Sequence, residues 1–433
     1  MFRKILQLKL KLLARLVLFK YKPKIVGITG SVGKTSAKDA IGVVLATKFK
    51  TRSNIKNYNN ELGLPLTIIG AKSQGKSLLG WLTVMMSAVV LLIKRDKNYP
   101  EFLVLEMGVD QPGDMDYLNS IVKLNAAVIT DIGVAHIANF GTADKIKQEK
   151  RKILDTLDNS GFAILNYDND KIAEIGERIH DQRVFGYGFG KEALVSAHNL
   201  AYSFDGEREL KNLSGLSFKI KYQDAYIPVL LDGALSKPAV YAALAAASVG
   251  FAYGLNGIEV SEALRSFRTA AGRMKLLSGI NGAMIIDDTY NASTQATISA
   301  LETIDNFDLP GIKRQWLVLG DMLELGEDSK AEHSAVGKKA AELKNVRLVV
   351  LGEESLYISV AARKEGLSEK HIYHCNNHQE IVELLAKELG DGDLVLVKGS
   401  QGTRMEKVVL GILADASQAS EVLVRQSGEW KDK

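Results

Sequence analysis

Residues 27–39 read GITGSVGKTSAKD, a glycine-rich turn running into Gly-Lys-Thr-Ser. A glycine loop set between a strand and a helix leaves backbone N–H groups and the positive end of the helix dipole facing outward, which suits a phosphate chain. Lys34 is placed to reach the β- and γ-phosphate oxygens and Thr35 to ligate Mg2+, while Gly30, Ser31, Gly33 and Ser36 line the cradle. The spacing is a variant, because a strict loop has glycine six residues before the lysine. Here Ile28 occupies that position and Gly27 lies one further back. A glycine turn without a ligand is the alternative, and the order strand, glycines, lysine, hydroxyl, helix argues against it. The loop binds a nucleoside triphosphate, which leaves motors, switches, kinases and ligases open.

Other residues bear on that choice. Glu106 closes the apolar run LVLEM, at the sheet edge where open α/β folds bind ligands. A carboxylate there suits either a metal ion or a salt bridge. Asn57, Asn59 and Asn60 are neutral groups that can face the γ-phosphate or a substrate without repulsion, and asparagine serves tight turns equally well. His136 and Lys150, fourteen residues apart, decide nothing alone. Asp288 ends a later apolar run, with Asn291 in the turn after it. His333 suits a substrate-facing role or a packed, hydrogen-bonded one. Lys398, Ser400 and Arg404 come after the last apolar run, where they can hold a substrate carboxylate.

These residues need a scaffold that gathers strand ends. From Lys24 onward short apolar runs alternate with helical stretches, the pattern of a parallel sheet with crossover helices. KIVGIT (24–29), EFLVLEM (101–107), AAVIT (126–130) and GFAILN (161–166) read as buried strands. Alternation within 195–231 predicts an antiparallel hairpin, and KPAVYAALAAASVGFAYG a closely packed helix. A second α/β alternation starts after Gly272-Arg273, with strands expected over 283–288, 315–321, 347–352 and 393–399. The expected fold is α/β in two domains. A central P-loop ATPase domain with a mostly parallel sheet spans 25–272, and a Rossmann-like α/β domain spans 273–433, after an N-terminal segment of residues 1–24.

Residues 1–24 hold eight Lys/Arg and no acid, leaving 47 basic against 51 acidic residues in the rest, so the body has no nucleic-acid-like excess of positive charge. Lysines interrupt the apolar residues of this segment, so it lacks the h-region of a signal peptide. Two placements stay open: a basic amphipathic helix on an anionic membrane surface, or a helix packed on the body with its lysines in water. The apolar stretch 78–93, LLGWLTVMMSAVVLLI, has sixteen residues, short of the roughly 20 that span a bilayer, and reads as a buried or partly membrane-touching helix beside the sheet. The single cysteine, Cys375, excludes an intramolecular disulfide framework. A cytoplasmic monomer is expected, peripheral to the inner face of the membrane if the N-terminal helix lies there. Two near-motifs, HCNNH (374–378) and GYGFG (186–190), read as surface turns.

The loop variant Gly-x-Thr-Gly-x-x-Gly-Lys-Thr-Ser resembles the ATP loop of the Mur ligase superfamily, and the likeness extends from about residue 24 to 410. NYNNELGLPLT (57–67), LVLEMGVDQPGDMDYL (103–118) and TDIGVAHIANFGTADKIKQEKRKIL (130–154) resemble segments of the MurF branch, as do GRMKLL, IIDDTYNAS, VLGDMLELGEDSKAEHSAVG and LVKGSQGTRMEKVV. The resemblance implies ATP and two Mg2+ ions, held by Thr35, Glu106, His136 and a Lys150 carbamoylated by CO2. It implies that Arg273 and Asp288 hold the nucleotide as the C-terminal domain swings over the central one. There an arginine from a second domain can neutralise charge on the transferred phosphoryl group. Asn60 is expected at the nucleotide and Asn59, Asn291, His333, Lys398, Ser400 and Arg404 at the substrate.

Four departures stand out. The 24 residues before the loop take the place of a domain that grips the uridine diphosphate end of the substrate, so a lacking UDP-binding domain is expected. Pro238 and Ala242 stand where relatives carry His and Asn near adenine, Gln401 where many carry Arg, and Lys152 where an acid is expected. Lys152 adds positive charge close to Lys150. The resemblance implies an ATP-dependent amide ligase working through an acyl phosphate, adding D-alanyl-D-alanine to a UDP-N-acetylmuramoyl-tripeptide in peptidoglycan synthesis. Alternatives are a Mur-like ligase with a polyglutamate-type or lipid-linked acceptor, and a non-catalytic ATP-binding switch docked on a membrane.

Overall fold

The computed structural model describes residues 2–55, 58–133, 137–179, 183–306 and 311–426, so Asn57 and His136 lie outside the described residues. The chain divides into two compact units. One comprises Met1–Leu200, Ser217–Leu231 and Pro238–Phe267, the other Ala201–Leu216, Asp232–Lys237 and Arg268–Lys433.

The larger sheet is built from β1 (Lys24–Thr29), β2 (Thr51–Ser53), β3 (Phe102–Glu106), β4 (Leu124–Ile129), β5 (Leu157–Asn166), β6 (Val184–Gly188), β7 (Val195–Phe204), β8 (Leu213–Tyr222) and β9 (Ala225–Asp232), and its strands belong to the first unit except for Ala201–Phe204, Leu213–Leu216 and Asp232. The strands run in the order β2-β3-β1-β4-β5-β6-β7-β8-β9, and the pairs from β2 through β7 are parallel. Every residue of β3 is buried, as are the last five of β1. A strand covered on both faces needs apolar side chains at every position, which is why these runs are continuous rather than alternating. Two residues, Gln223 and Asp224, join β8 to β9, a connection only an antiparallel pair can make, and this is the expected hairpin. The 186–190 stretch departs from the surface turn expected of it, because Gly186–Gly188 belong to β6 and Tyr187 is fully buried.

Four helices flank the phosphate loop or the face beside it: α1 (Phe2–Tyr21), α2 (Lys34–Ala46), α3 (Gly63–Ile69) and α4 (Leu78–Ile93). Leu6, Leu10, Ala14 and Val17 recur every three or four residues along α1 and are buried, so one face of this helix docks on the body. Its N-terminal half packs with Leu66 and Ile69 of α3 and Trp81, Val84 and Ala88 of α4. Its C-terminal half joins the cluster under β1 and β3 around Ile25, Leu103 and Leu105. The opposite face is apolar as well, with Ile5, Leu8, Leu12, Leu16 and Phe19 exposed. Burial of α4 is confined to Trp81, Val84 and Ala88, so the sixteen uncharged residues do not form a fully buried helix. No helix among the described residues is long and apolar enough to cross a membrane.

The second unit carries β10 (Lys275–Ser278), β11 (Met284–Asp288), β12 (Arg314–Gly320), β13 (Val346–Leu351), β14 (Ile372–Cys375) and β15 (Asp393–Lys398). Their order is β10-β11-β15-β12-β13-β14, parallel throughout except for β10 against β11. Asp288 and Lys398 are register partners at the carboxyl ends of β11 and β15.

Candidate active site

The phosphate loop is braced by the strand beside it. Gly30 at the end of β1 has φ 155°, and a Cβ there would lie 2.1 Å from Thr130 Oγ1, so no other residue fits. Thr130 Oγ1 donates to the Val32 carbonyl at 2.6 Å and Ser31 N donates to the Asp131 carbonyl at 2.8 Å. Gly133 N donates to Ser31 Oγ at 2.9 Å. Gly33 then turns left-handed, at φ 85°, and starts α2 with no side-chain cap on its first N–H groups. The open amides and the helix dipole together make an anion site. Lys34 Nζ donates to the Gly30 carbonyl at 2.7 Å, and half-buried Ser36 lies in the same first turn.

Glu106 ends β3 beside this loop and is 4% exposed. Its Oε2 accepts from Thr35 Oγ1 at 2.9 Å and its Oε1 from Asn59 Nδ2 at 3.0 Å. Asn54 fixes the strand end from the other side, donating to the Glu106 carbonyl at 3.0 Å and accepting from the Glu106 N–H at 2.7 Å. A hydroxyl and a carboxylate oxygen held 2.9 Å apart are hard donors that suit Mg2+.

Lys150 closes the floor. It is 3% exposed and its Nζ donates to the same Gly30 carbonyl, at 3.3 Å. Burial first, and the Lys34 ammonium second, push its pKa down to about 7. Lys152, a departure from the family pattern, turns away to Asp116 at 2.6 Å and Glu149 at 2.8 Å. Glu149 in turn accepts from Gly113 N and Met115 N, pinning the Pro-Gly-Asp segment to the helix that carries Lys150. An amine whose charge is disfavoured next to an ammonium suits a carbamate, because the new anion would face Lys34. His136 lies outside the described residues. Asn60 Oδ1 accepts from Leu62 N and Gly63 N at the start of α3, so its side chain also shapes the turn.

In the second unit Asp288 Oδ2 accepts from Lys398 Nζ at 2.6 Å and Asp288 Oδ1 from Met274 N at 3.2 Å. Lys398 also donates to the Asn291 carbonyl at 3.0 Å, and Asn291 Oδ1 accepts from Gln401 N. Ser400 Oγ accepts from Leu323 N and donates to the Ala292 carbonyl. Asp288, Asn291, Lys398 and Ser400 therefore form one cluster at the strand ends. The Arg273 guanidinium stacks 4.0 Å over the Tyr290 ring, and Arg404 pairs with buried Glu406 at 2.5 Å. His333 corrects the expectation placed on it. It is fully buried, its Nδ1 donates to the Ser329 carbonyl and its Nε2 accepts from Met322 N, so it holds the 321–325 loop and faces no substrate.

Asn54 and Thr130 went unnoticed in the sequence: Thr130 directly follows the apolar strand β4, whereas Asn54 follows the polar Thr-Arg-Ser of β2 and gives no such signal.

Two family descriptions match the chain, "Mur ligase middle domain" over residues 86–235 and "Mur ligase, glutamate ligase domain" over 272–401. The UDP-N-acetylmuramoyl-tripeptide--D-alanyl-D-alanine ligase of Mycobacterium leprae is 31% identical over 406 residues, 90% of this chain and 72% of the relative. The enzyme of the same name from Bacillus subtilis is 27% identical over 405 residues, 93% of this chain and 79% of the relative. The crystal structure of MurF ligase from Thermotoga maritima in complex with ADP superposes with a TM-score of 0.74 at 26% identity, covering 92% of this chain and 82% of that one.

Proposed function

The chain belongs to the Mur ligase family, and on that premise we propose that it joins D-alanyl-D-alanine to UDP-N-acetylmuramoyl-tripeptide in cytoplasmic peptidoglycan synthesis. The observation that carries the reading is the convergence of Lys34 and Lys150 on one carbonyl, that of Gly30, beside the Thr35–Glu106 pair. Two amines and two hard oxygen donors around uncapped helix amides are suited to a triphosphate and its metal.

In the reaction a carboxylate oxygen of the tripeptide attacks the γ-phosphorus of ATP, giving an acyl phosphate and ADP. The D-alanyl-D-alanine amine then attacks the acyl carbon, loses a proton, and phosphate leaves with the former carboxylate oxygen. The loop amides and Lys34 hold the phosphate chain, and Thr35 and Glu106 would hold Mg2+. That ion supplies Lewis-acid neutralisation of the charge that develops on phosphoryl transfer. A carbamate on Lys150, with His136, would hold a second ion. We assign Arg273 and Asp288 to the nucleotide, and Asn59, Asn291, Lys398, Ser400 and Arg404 to the substrates, by their match to the family's motifs. A peripheral membrane contact through residues 1–24 belongs to the same proposal.

Phosphate release with ATP, Mg2+, the UDP-tripeptide and D-alanyl-D-alanine, omitting each in turn, tests this. Release that needs both substrates, with the mass of the pentapeptide product, supports it. ATP binding with no stimulation by either substrate overturns the acceptor assignment. The outward apolar stripe of α1 then favours a lipid-linked muropeptide as the acceptor of the same ligase chemistry.

A further inference from the structure

Of the twenty-one large apolar side chains that stand exposed among the described residues, twelve lie on α1 and α4. Scattered single exposures are normal, but a contiguous apolar face calls for a partner. At 100° per residue, Ile5, Leu8, Leu12, Leu16 and Phe19 fall on one stripe of α1, opposite the stripe that docks on the body. Lys4, Lys11 and Arg15 flank that stripe on one side, Lys9 and Lys20 on the other. On α4, Leu79, Leu82, Met86, Val90 and Ile93 face outward, opposite Trp81, Val84 and Ala88. The two helices lie side by side and point the same way. Leu6 and Leu10 share a cluster with Trp81 and Val84 near the helix starts, and Lys20 Nζ donates to the Leu91 and Leu92 carbonyls near the ends.

We propose that the paired outer faces of α1 and α4 form one docking surface that lies in the headgroup region of an anionic bilayer. This extends the contact proposed above for residues 1–24 by adding α4 as a second arm, and it is independent of the ligase reading. Charge selects the occupant. Residues 1–24 and 72–97 together hold thirteen Lys/Arg and one acid, Asp96. Two such faces brought together in a dimer would repel, whereas anionic headgroups complement them. Length selects the depth. At about 1.5 Å per residue, sixteen residues of α4 reach about 24 Å, short of the hydrocarbon core, so the helix lies along the interface and does not span it. Long basic side chains beside an apolar stripe can bury their stems and keep their charges among the phosphates.

The test is co-sedimentation of the full chain with vesicles of phosphatidylcholine, with and without 30% phosphatidylglycerol. Binding to the mixed vesicles should exceed binding to phosphatidylcholine alone by at least tenfold and fall sharply in 0.5 M NaCl, since each basic side chain at such a surface contributes roughly fivefold. Two triple variants then divide the surface: Leu8→Gln/Leu12→Gln/Phe19→Gln on α1 and Leu79→Gln/Met86→Gln/Val90→Gln on α4. Each should weaken binding at least tenfold and leave the melting temperature within about 2 °C, because all six positions are exposed. A chain that ignores both vesicles overturns the proposal, and so does equal binding to neutral and anionic ones. Loss in the α1 variant alone keeps the contact of residues 1–24 and overturns the two-helix surface. A dimer by light scattering that the variants dissociate assigns the face to a second copy and overturns it.

Discussion

Replacing Lys150 by methionine removes an amine from the floor of the phosphate site at nearly constant volume, and the surroundings of that amine set the expected loss. With a pKa of about 7 in place of the ordinary 10.5, about half of the Lys150 amine is neutral at pH 7, against about 3 in 10,000 for an exposed lysine. Only the neutral amine can attack CO2, forming an N–C bond and releasing a proton, so burial and the Lys34 charge enrich the reactive form by roughly a thousandfold. The carbamate should therefore accumulate as the pH rises from 6 to 8. With 13C-bicarbonate, NMR should show a carbamate resonance that grows across this window and is absent from Lys150→Met. Turnover in the variant should drop by at least about a hundredfold, the order of a lost electrostatic contact in a closed site. Stability gives a second readout. The unfolded chain binds more protons than the folded one between about pH 7 and 10.5, so this lysine makes stability rise with pH there, and the variant should lack that slope. A variant within threefold of wild-type turnover, or a working enzyme with no carbamate resonance in labelled bicarbonate, overturns the carbamate assignment.

Three further outcomes are set by the geometry. Glu106→Gln keeps the shape but removes the charge facing Thr35, so calorimetry should show at least a tenfold loss of Mg2+-dependent ATP binding with an unchanged melting temperature. Burial raises the Asp287 carboxyl to about 6 although it accepts from Thr289 and Gly272, so its stabilising contribution is full below about 3.8 and lost as the pH rises through 6. Unfolding free energies from urea titrations at pH 4.5 and 7.5 should show wild type losing about 2 kcal/mol relative to Asp287→Asn over that interval, and no difference would overturn it. His333→Phe leaves the Met322 N–H without its acceptor and should cost about 1–3 kcal/mol in urea unfolding while KM values for both substrates stay unchanged, whereas a large rise in KM would restore the substrate role.

The phosphate loop was legible because its requirements are local: the torsions at Gly30 and Gly33, and a lysine and a hydroxyl opening the helix. Glu106 was legible because a charge that ends a continuous apolar run sits at a strand end. His333 was not, since it could equally hold a ligand or its own neighbours, and only the position of Met322 N decides. Asn54 and Thr130 act across the sheet, on β3 and on the loop after β1, which depends on strand order that no local pattern carries. How far α4 is buried was left open for a related reason. Sixteen uncharged, mostly apolar residues specify what the helix avoids, not how many of its faces find a protein partner.

If the site activates a carboxylate by phosphorylation, an oxygen atom must pass from that carboxylate to phosphate, and isotope labelling reads this transfer. With UDP-N-acetylmuramoyl-tripeptide labelled with 18O in its terminal carboxylate, plus ATP, Mg2+ and D-alanyl-D-alanine, the released phosphate is analysed by mass. An acyl-phosphate intermediate predicts one 18O in each phosphate, because phosphate departs with the carboxylate oxygen. Unlabelled phosphate released alongside turnover would contradict it and show that water, not the substrate carboxylate, attacks the γ-phosphorus.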